Sequence, residues 1–425
     1  MRMSEFFRKA SRLIVANCIV LIGSLMVTSC SAENNTVSNV DKKLIVNVPK
    51  DVSSINKAMK MVKRDGIVLV SPGVYHESVK LNVEGVTIRG TDRNKVVLDG
   101  EGVKSNGIVG TVSGIRVENL TVKNYLLNGV IFTGVTDDSG NGIGRGSDGY
   151  APVDPKKSPP VENFEMRYIT AVNNGLYGVY AFNMHSGIIE ESYASGSADS
   201  GVYVGQCDPC NIVVRNTVTE YNAVGIETAN ASAPLVVENN KANNNRIGAL
   251  ILSNYQETFA PLKGSIFRNN EFSNNNNAET PVQASGAFGV GAALNGTVNV
   301  EMSGNIIENN SNAGLLYMSN VDLGPVENKT HGNTFKNNLF NLVYNPTKEA
   351  PGGNNCFDVT APVYPQNSLG SMKCNGKQIP DKPWVQKVDA PSGIAFLDVK
   401  QPEEMTTMPG DVTIVPKRIV KPEVK

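Results

Sequence analysis

The sequence predicts an all-β chain: a single-stranded right-handed parallel β-helix, a solenoid of about ten coils, entered through a short N-terminal capping helix. Three observations carry that prediction. The first is composition: of 425 residues, 40 are Gly and about 50 are Asn, against a 6% aromatic share and one Trp. Gly and Asn tolerate left-handed backbone angles, so the excess fits short strands joined by tight turns better than helices. The second is a period. Gly178-Val-Tyr-Ala, Gly201-Val-Tyr-Val, Gly225-Ile-Glu-Thr and Gly248-Ala-Leu-Ile start 23, 24 and 23 residues apart, with Gly107 and Gly129 before them and Gly291 and Gly314 after. Each period holds two further short apolar stretches, as in Ile212-Val-Val-Arg-Asn and Thr219-Glu-Tyr-Asn222, so one coil is three strands and three turns. The third is the recurrence of Asn240, Asn270, Asn305 and Asn333 near one place in successive coils. Stacked amides there satisfy one another and the turn backbone. About ten coils at the strand spacing of about 4.8 Å give a length on the order of 48 Å.

Arg2, Arg8, Lys9 and Arg12 precede an apolar stretch from Leu13 to Val27, about the length of a signal-peptide core and short for a membrane span. It ends in Val27-Thr28-Ser29-Cys30, which resembles the bacterial lipobox, whose Cys is acylated and becomes the mature N-terminus. The resemblance implies residues 1–29 as signal peptide, lipidation of Cys30, and a lipid-anchored protein of the bacterial cell envelope. Ser31, where an inner-membrane retention signal places Asp, implies the outer membrane. Residues 30–44 read as a polar tether.

The β-helix is expected over residues 45–345. Ser53 to Arg64 places Ile55, Met59 and Val62 on one helical face, with Ser53 or Ser54 as N-cap and Gly66 as stop. This helix, followed by Asp65-Gly-Ile-Val-Leu-Val-Ser-Pro-Gly-Val-Tyr-His-Glu77 and Val96-Val-Leu-Asp-Gly100, resembles the N-terminal cap and first coils of pectin-lyase-like β-helix proteins. Gly175 to Tyr317, above all Asp199-Ser-Gly-Val-Tyr-Val-Gly-Gln206 and Val224-Gly-Ile-Glu227, is similar to bacterial parallel β-helix repeat proteins, often lipoproteins, of unresolved biochemical role. The resemblance covers roughly residues 45–345 and implies the fold while leaving the reaction open.

With Val202 and Val204 inward, Tyr203 points outward, and the outward column reads Ile131, Tyr180, Tyr203, Glu227, Leu250. Two tyrosines and a carboxylate stacked one strand apart fit a sugar ring; equally, they fit aromatic stacking that only stabilises the solenoid. On this placement Val202 is core and Tyr203 tolerates replacement. Coil spacing jumps to 49 residues between Gly129 and Gly178 and to 43 between Gly248 and Gly291, so two loops are expected to wall a groove over these residues. Asp199 and Arg246, each two residues before a coil glycine, are candidates for the same groove.

Catalytic constellations of related folds are missing. Gly73-Val-Tyr-His-Glu77 resembles the first pectin methylesterase motif, but the catalytic aspartates with their Gln and Arg do not follow. Arg246, Glu227 and Tyr203 can be cast as the stabilising cation, the carboxylate and the base of a lyase only by assumption. Asp137, Ser139, Asn141, Gly142 and Asp148 match a calcium loop in part, but a metal-free Gly/Asp-rich loop is favoured and no metal or cofactor is expected. His76, His185 and His331 fall on distant coils.

With Cys18 in the signal and Cys30 lipidated, Cys207, Cys210, Cys356 and Cys374 remain, an even number that favours disulfides in an oxidising envelope. Cys207-Asp-Pro-Cys210 reads as a turn staple, with a redox or metal role as the alternative. Cys356 and Cys374 are expected to close a C-terminal cap within residues 346–425, whose Pro-rich tail either lies on the solenoid or stays disordered. A formal net charge of -1 offers no phosphate-neutralising surface, so nucleic acid is excluded as a partner. Three readings follow: a β-helix binding an extended ligand, above all polysaccharide, near Tyr180 to Glu227; a lyase or epimerase acting on acidic glycans; and a non-catalytic scaffold for an envelope protein partner.

Overall fold

The structure, a computed structural model, describes residues 41–136, 154–255, 257–282, 285–366, 374 and 382–417. The signal peptide, Cys18, Cys30 with its lipidation and the candidate calcium loop at 137–148 lie outside the described residues. Each coil is three short strands, as in Ser200–Cys207, Ile212–Arg215 and Val218–Glu220. Each strand pairs in parallel with its counterpart one period on: Tyr203 with Glu227, Val213 with Val236, Thr219 with Ala242. The first strands stack into an eleven-strand sheet from Val79–Leu81 to Val363–Tyr364. The second and third stack into a twenty-strand sheet, continuous around its corner where Arg116–Lys123 and Val161–Val172 pass through Asn119 and Tyr168, at φ 58° and 52°. Stacked side chains fill the interior, as in the fully buried column Val179, Val202, Ile226, Ala249. This is the expected right-handed parallel β-helix.

Asparagine does two jobs at the corners. Asn216, Asn239 and Asn269 at one corner, and Asn244, Asn274 and Asn309 at the next, hold φ between 49° and 57°, a region costly for most L-residues. The Asn that follows each of the later ones turns inward. Asn240 Nδ2 donates to Asn270 Oδ1 at 3.0 Å, Asn270 Nδ2 to Asn305 Oδ1 at 3.0 Å, and Asn305 Nδ2 to Asn333 Oδ1 at 2.9 Å. These are the four residues the sequence singles out. A second ladder runs through Asn222, Asn245 and Asn275, and on through Asn310 to Asn338.

Two boundaries differ from expectation. Helix α1 spans Ile55–Met61, with Ser54 Oγ accepting from Lys57 N at 3.2 Å and Ile55, Ala58 and Met59 buried. It ends at Met61 because Val62 is already extended and opens the strand Val62–Val70, which pairs with Lys43–Val48. Gly66 is therefore no helix stop. It lies inside that strand, where a Cβ would meet Leu44 O at 2.7 Å. The ladder also runs past residue 345: Cys356–Phe357 and Val363–Tyr364 add a rung in which Asn341 and Pro362 hold the register position of Gly314. Without the glycine the period is invisible there.

The tail lies on the solenoid. Residues 382–417 return, largely without regular structure, from the last coils to the first. Asn312 Nδ2 donates to Val388 O at 2.8 Å, Arg246 Nη1 to Pro391 O at 3.0 Å, and Asn173 Nδ2 to Val399 O at 3.0 Å. Arg93 Nη1 then reaches Thr406 O at 3.0 Å and Arg89 Nη1 reaches Ile414 O at 2.8 Å. The strap's anchor points thus descend in number along the solenoid as its own residues ascend, which pairs backbone carbonyls that a loose tail would leave to water.

Candidate functional site

The inside of the eleven-strand sheet is filled by aliphatic and aromatic side chains, among them Leu81, Phe132, Leu315 and Tyr317, and its outward face is also largely apolar. In register, the outward column runs Val109, Ile131, Tyr180, Tyr203, Glu227 and Leu250. It continues through Ala293, Leu316, Val343 and Tyr364. The column opens on the exposed Lys80, which pairs with Val109, so Lys80 and Glu227 are the charged residues in it. Two clusters separate from the interior core result, one around Tyr177, Tyr180, Phe182 and Tyr203, the other around Ala293, Leu316 and Val343. A strand of this type alternates in and out, so an apolar outward column is a feature the coil itself does not need.

The five residues of the expected column do stand in register, but they do not line an open groove. Tyr180, Tyr203 and Glu227 are 1%, 3% and 7% exposed. Tyr177, from the turn before the strand, stacks on Tyr180 at 4.4 Å between centroids and 20° between planes, and reaches Tyr203 at 5.0 Å. Tyr180 and Tyr203 lie 4.5 Å apart, with Phe182 5.7 Å from Tyr180. Tyr203 folds along its own strand over Gly205, where a Cβ would sit 2.3 Å from the phenol oxygen. The rings form a slab whose faces are spent on one another. Tyr177 carries no repeat signal, so the sequence could not place it.

At the slab's edge Ser200 Oγ donates to Glu227 Oε2 and lies 3.4 Å from half-buried Asp199 Oδ1. The two carboxylates thus share one hydroxyl. Burial, and then the charges of Asp199 and Glu227, hold the Tyr177 phenol well above its usual pKa, so it is a neutral donor.

Arg246 does not join them. It is fully buried, its Nε donates to Thr280 Oγ1 at 2.8 Å and its Nη1 to Pro391 O, and its guanidinium lies 5.7 Å from the Phe288 ring centroid. Burial lowers its pKa from the ordinary arginine value. Arg246 anchors the strap, which takes away the cation that a lyase assembled from Arg246, Glu227 and Tyr203 requires.

The cysteines pair Cys207 with Cys210 and Cys356 with Cys374. Cys207 and Cys210 are fully buried in the interior core, which suits a turn staple and leaves no access for exchange or metal. Glu77, part of the stretch that resembles an esterase motif, caps α1 through Ile55 N at 2.9 Å and Asn56 N at 3.0 Å. The histidines stay on separate coils, each facing a glutamate: His76 with Glu101 at 3.5 Å, His185 with Glu162 at 3.6 Å, His331 with Glu301 at 3.4 Å. No group of three metal-binding side chains occurs among the described residues.

One outward feature escaped the sequence reading. On the second strand of successive coils Arg89, Glu118, Arg167, Glu190, Arg215, Glu238 and Arg268 stand in register with alternating sign. Arg89 Nε meets Glu118 at 2.7 Å, Arg215 Nε meets Glu190 at 2.6 Å and Arg268 Nε meets Glu238 at 2.8 Å. The signal was available: most of these residues directly precede the left-handed corner residue of their coil. The face neutralises itself, so the apolar column remains the unusual surface.

Among solved structures the chain is similar to the enzymatically active domain of bacteriophage CBA120 tailspike protein 2, at 12% identity and a TM-score of 0.48, over 72% of this chain and 48% of that one. The chain therefore spans about half the length of that protein. It is also similar to pectate lyase Pel9A, at 12% identity and a TM-score of 0.40 over 74% and 78% of the two chains. An alginate lyase from Paenibacillus sp. str. FPU-7 gives 14% identity and a TM-score of 0.40 over 69% and 96%. No curated protein matches the sequence. The family described as right handed beta helix region matches residues 65–260 and again 159–340, well over half of the chain. With the coils, ladders and register above, the chain belongs to the right handed beta helix family.

Proposed function

We propose that this protein binds an extended polysaccharide along the outward face of its eleven-strand sheet, held to the bacterial outer membrane by a lipid on Cys30. The observation that carries the binding reading is the outward column from Lys80 to Tyr364, apolar except for Lys80 and Glu227. Sugar rings present apolar C–H faces, and a surface of stacked strands repeats at about 4.8 Å, close to the scale of one sugar unit. The half-buried column members Val109 and Leu250, with half-buried Leu252 two residues further along the same strand, give such a ligand apolar contact without uncovering the tyrosine slab. Binding without chemistry is favoured because Arg246, the cation of the one lyase constellation the sequence offered, is occupied by Thr280 and the strap.

Affinity electrophoresis of the full chain in pectate, alginate and neutral glucans tests this. Retardation by at least one polymer is expected, and replacing Leu250 and Leu252 by Gln should abolish it without shifting the melting temperature by more than a few degrees. No retardation by any polymer overturns the polysaccharide reading and favours a protein partner. Absorbance from unsaturated products overturns the non-catalytic one.

A further inference from the structure

At the last coils the outward face ends in a cleft of about 410 Å³, lined by Phe340, Tyr364, Pro365, Gln366, Lys382 and Lys387. Phe340 and Tyr364 meet edge to face, 6.0 Å between centroids and 74° between planes. Both lysines belong to the strap, whose backbone is pinned here at several points. Tyr364 Oη donates to Lys382 O at 2.7 Å, and Trp384 N donates to Asn345 Oδ1 at 2.9 Å. Phe288 N donates to Gln386 Oε1 at 3.0 Å and Lys387 N donates to Asn312 Oδ1 at 2.8 Å. The backbone that carries the lysines is therefore fixed. Among the described residues their ammonium groups have no ion-pair partner and no carboxylate lines the cleft.

Two like charges brought to one cleft repel, and an anion between them turns that repulsion into attraction. Aromatic faces beside the cations offer apolar contact to a flat ring, and the volume falls within the range of about 300–1,000 Å³ common to small-ligand sites. Among the common units of a polysaccharide, a ring with an apolar C–H face and a carboxylate is a uronate. We propose that this cleft binds an acidic sugar unit of the polysaccharide, with Lys382 and Lys387 on its carboxylate and Phe340 and Tyr364 against its ring. The inference rests on the polysaccharide reading above and adds to it a substrate class and a second, strap-built subsite.

The test is calorimetric titration of the full chain with trigalacturonate, maltotriose, inorganic sulfate and ATP. Trigalacturonate should bind, and the double variant K382Q/K387Q, which removes two exposed charges, should weaken it at least tenfold with an unchanged melting temperature. Phe340→Ala should weaken it severalfold, and maltotriose should bind at least tenfold more weakly than trigalacturonate to the wild type. Unchanged trigalacturonate affinity in K382Q/K387Q overturns the proposal. So does sulfate or ATP binding as tightly as trigalacturonate, which makes the cleft an anion site blind to sugars. Polymer retardation without trigalacturonate binding sinks this inference alone; absence of both sinks the function reading with it.

Discussion

Replacing Asn270 by Ala tests the amide ladder at its middle. Asn270 is 1% exposed, and its Nδ2 donates to Val237 O at 2.9 Å as well as to Asn305. Its Oδ1 accepts from Asn240 N at 3.1 Å and from Asn240 Nδ2 at 3.0 Å. Alanine removes all of these at once, leaves the Asn240 backbone N–H without its partner between coils and takes one donor from the Val237 carbonyl. A buried polar group left without a partner costs about 1–3 kcal/mol and one lost hydrogen bond about 0.5–1.5 kcal/mol, so the Asn240 N–H and the Val237 carbonyl together predict a loss of about 2–4 kcal/mol. The neighbouring Asn269 is the control. It is exposed at φ 55°, and Asn269→Ala loses only the ease with which Asn adopts that angle, about 1 kcal/mol. Urea unfolding of both variants, with hydrogen exchange at Asn240 and Val237 amides to localise the damage, is the measurement. A difference below about 0.5 kcal/mol between the two variants would refute the ladder as a source of stability, because only burial and hydrogen bonding separate these adjacent asparagines.

The buried slab changes what replacement of Tyr203 should do. Val202→Asp should cost several kcal/mol, since it places a carboxylate inside the coil stack, and Tyr203→Ala should cost about 3 kcal/mol through lost burial and stacking on Tyr177 and Tyr180; a loss under about 1 kcal/mol for Tyr203→Ala would mean the rings are open to solvent after all. Burial raises the phenols of Tyr125, Tyr177, Tyr193 and Tyr317, and pushes that of Tyr344 up to about 12. Folding therefore favours the neutral phenols: the contribution is complete below about pH 10 and is lost as pH rises through the folded values. Phenolate absorbance should rise in two stages, the second coinciding with unfolding; one smooth wave near pH 10 for all 13 tyrosines contradicts this. For the anchor, Cys30→Ala should abolish acyl labelling and release the protein from membranes, and a mature N-terminus at any other residue defeats the claim.

Much of the molecule was legible in order of residues because a solenoid repeats its local environment. A position that is core in one coil is core in the next, so Gly201, Gly225 and Gly248, and Asn240, Asn270 and Asn305, declare their roles by spacing. Register followed for the same reason: Tyr180, Tyr203 and Glu227 stand in one outward column, as the period implies. The same logic fails where contacts are aperiodic. Periodicity says that Tyr203 points away from the interior but not that Tyr177 covers it. Nor does it say that Arg246 is claimed by Pro391, 145 residues further along the chain. Cysteine parity suggested staples, and the burial of Cys207 and Cys210 in the core is what separates that staple from a redox pair. Local pattern determines which face a side chain takes, because alternation along a strand is a property of the backbone. Whether that face is open or covered was decided only in three dimensions, by a turn residue outside the repeat and by a tail that folds back over coils far from it in sequence.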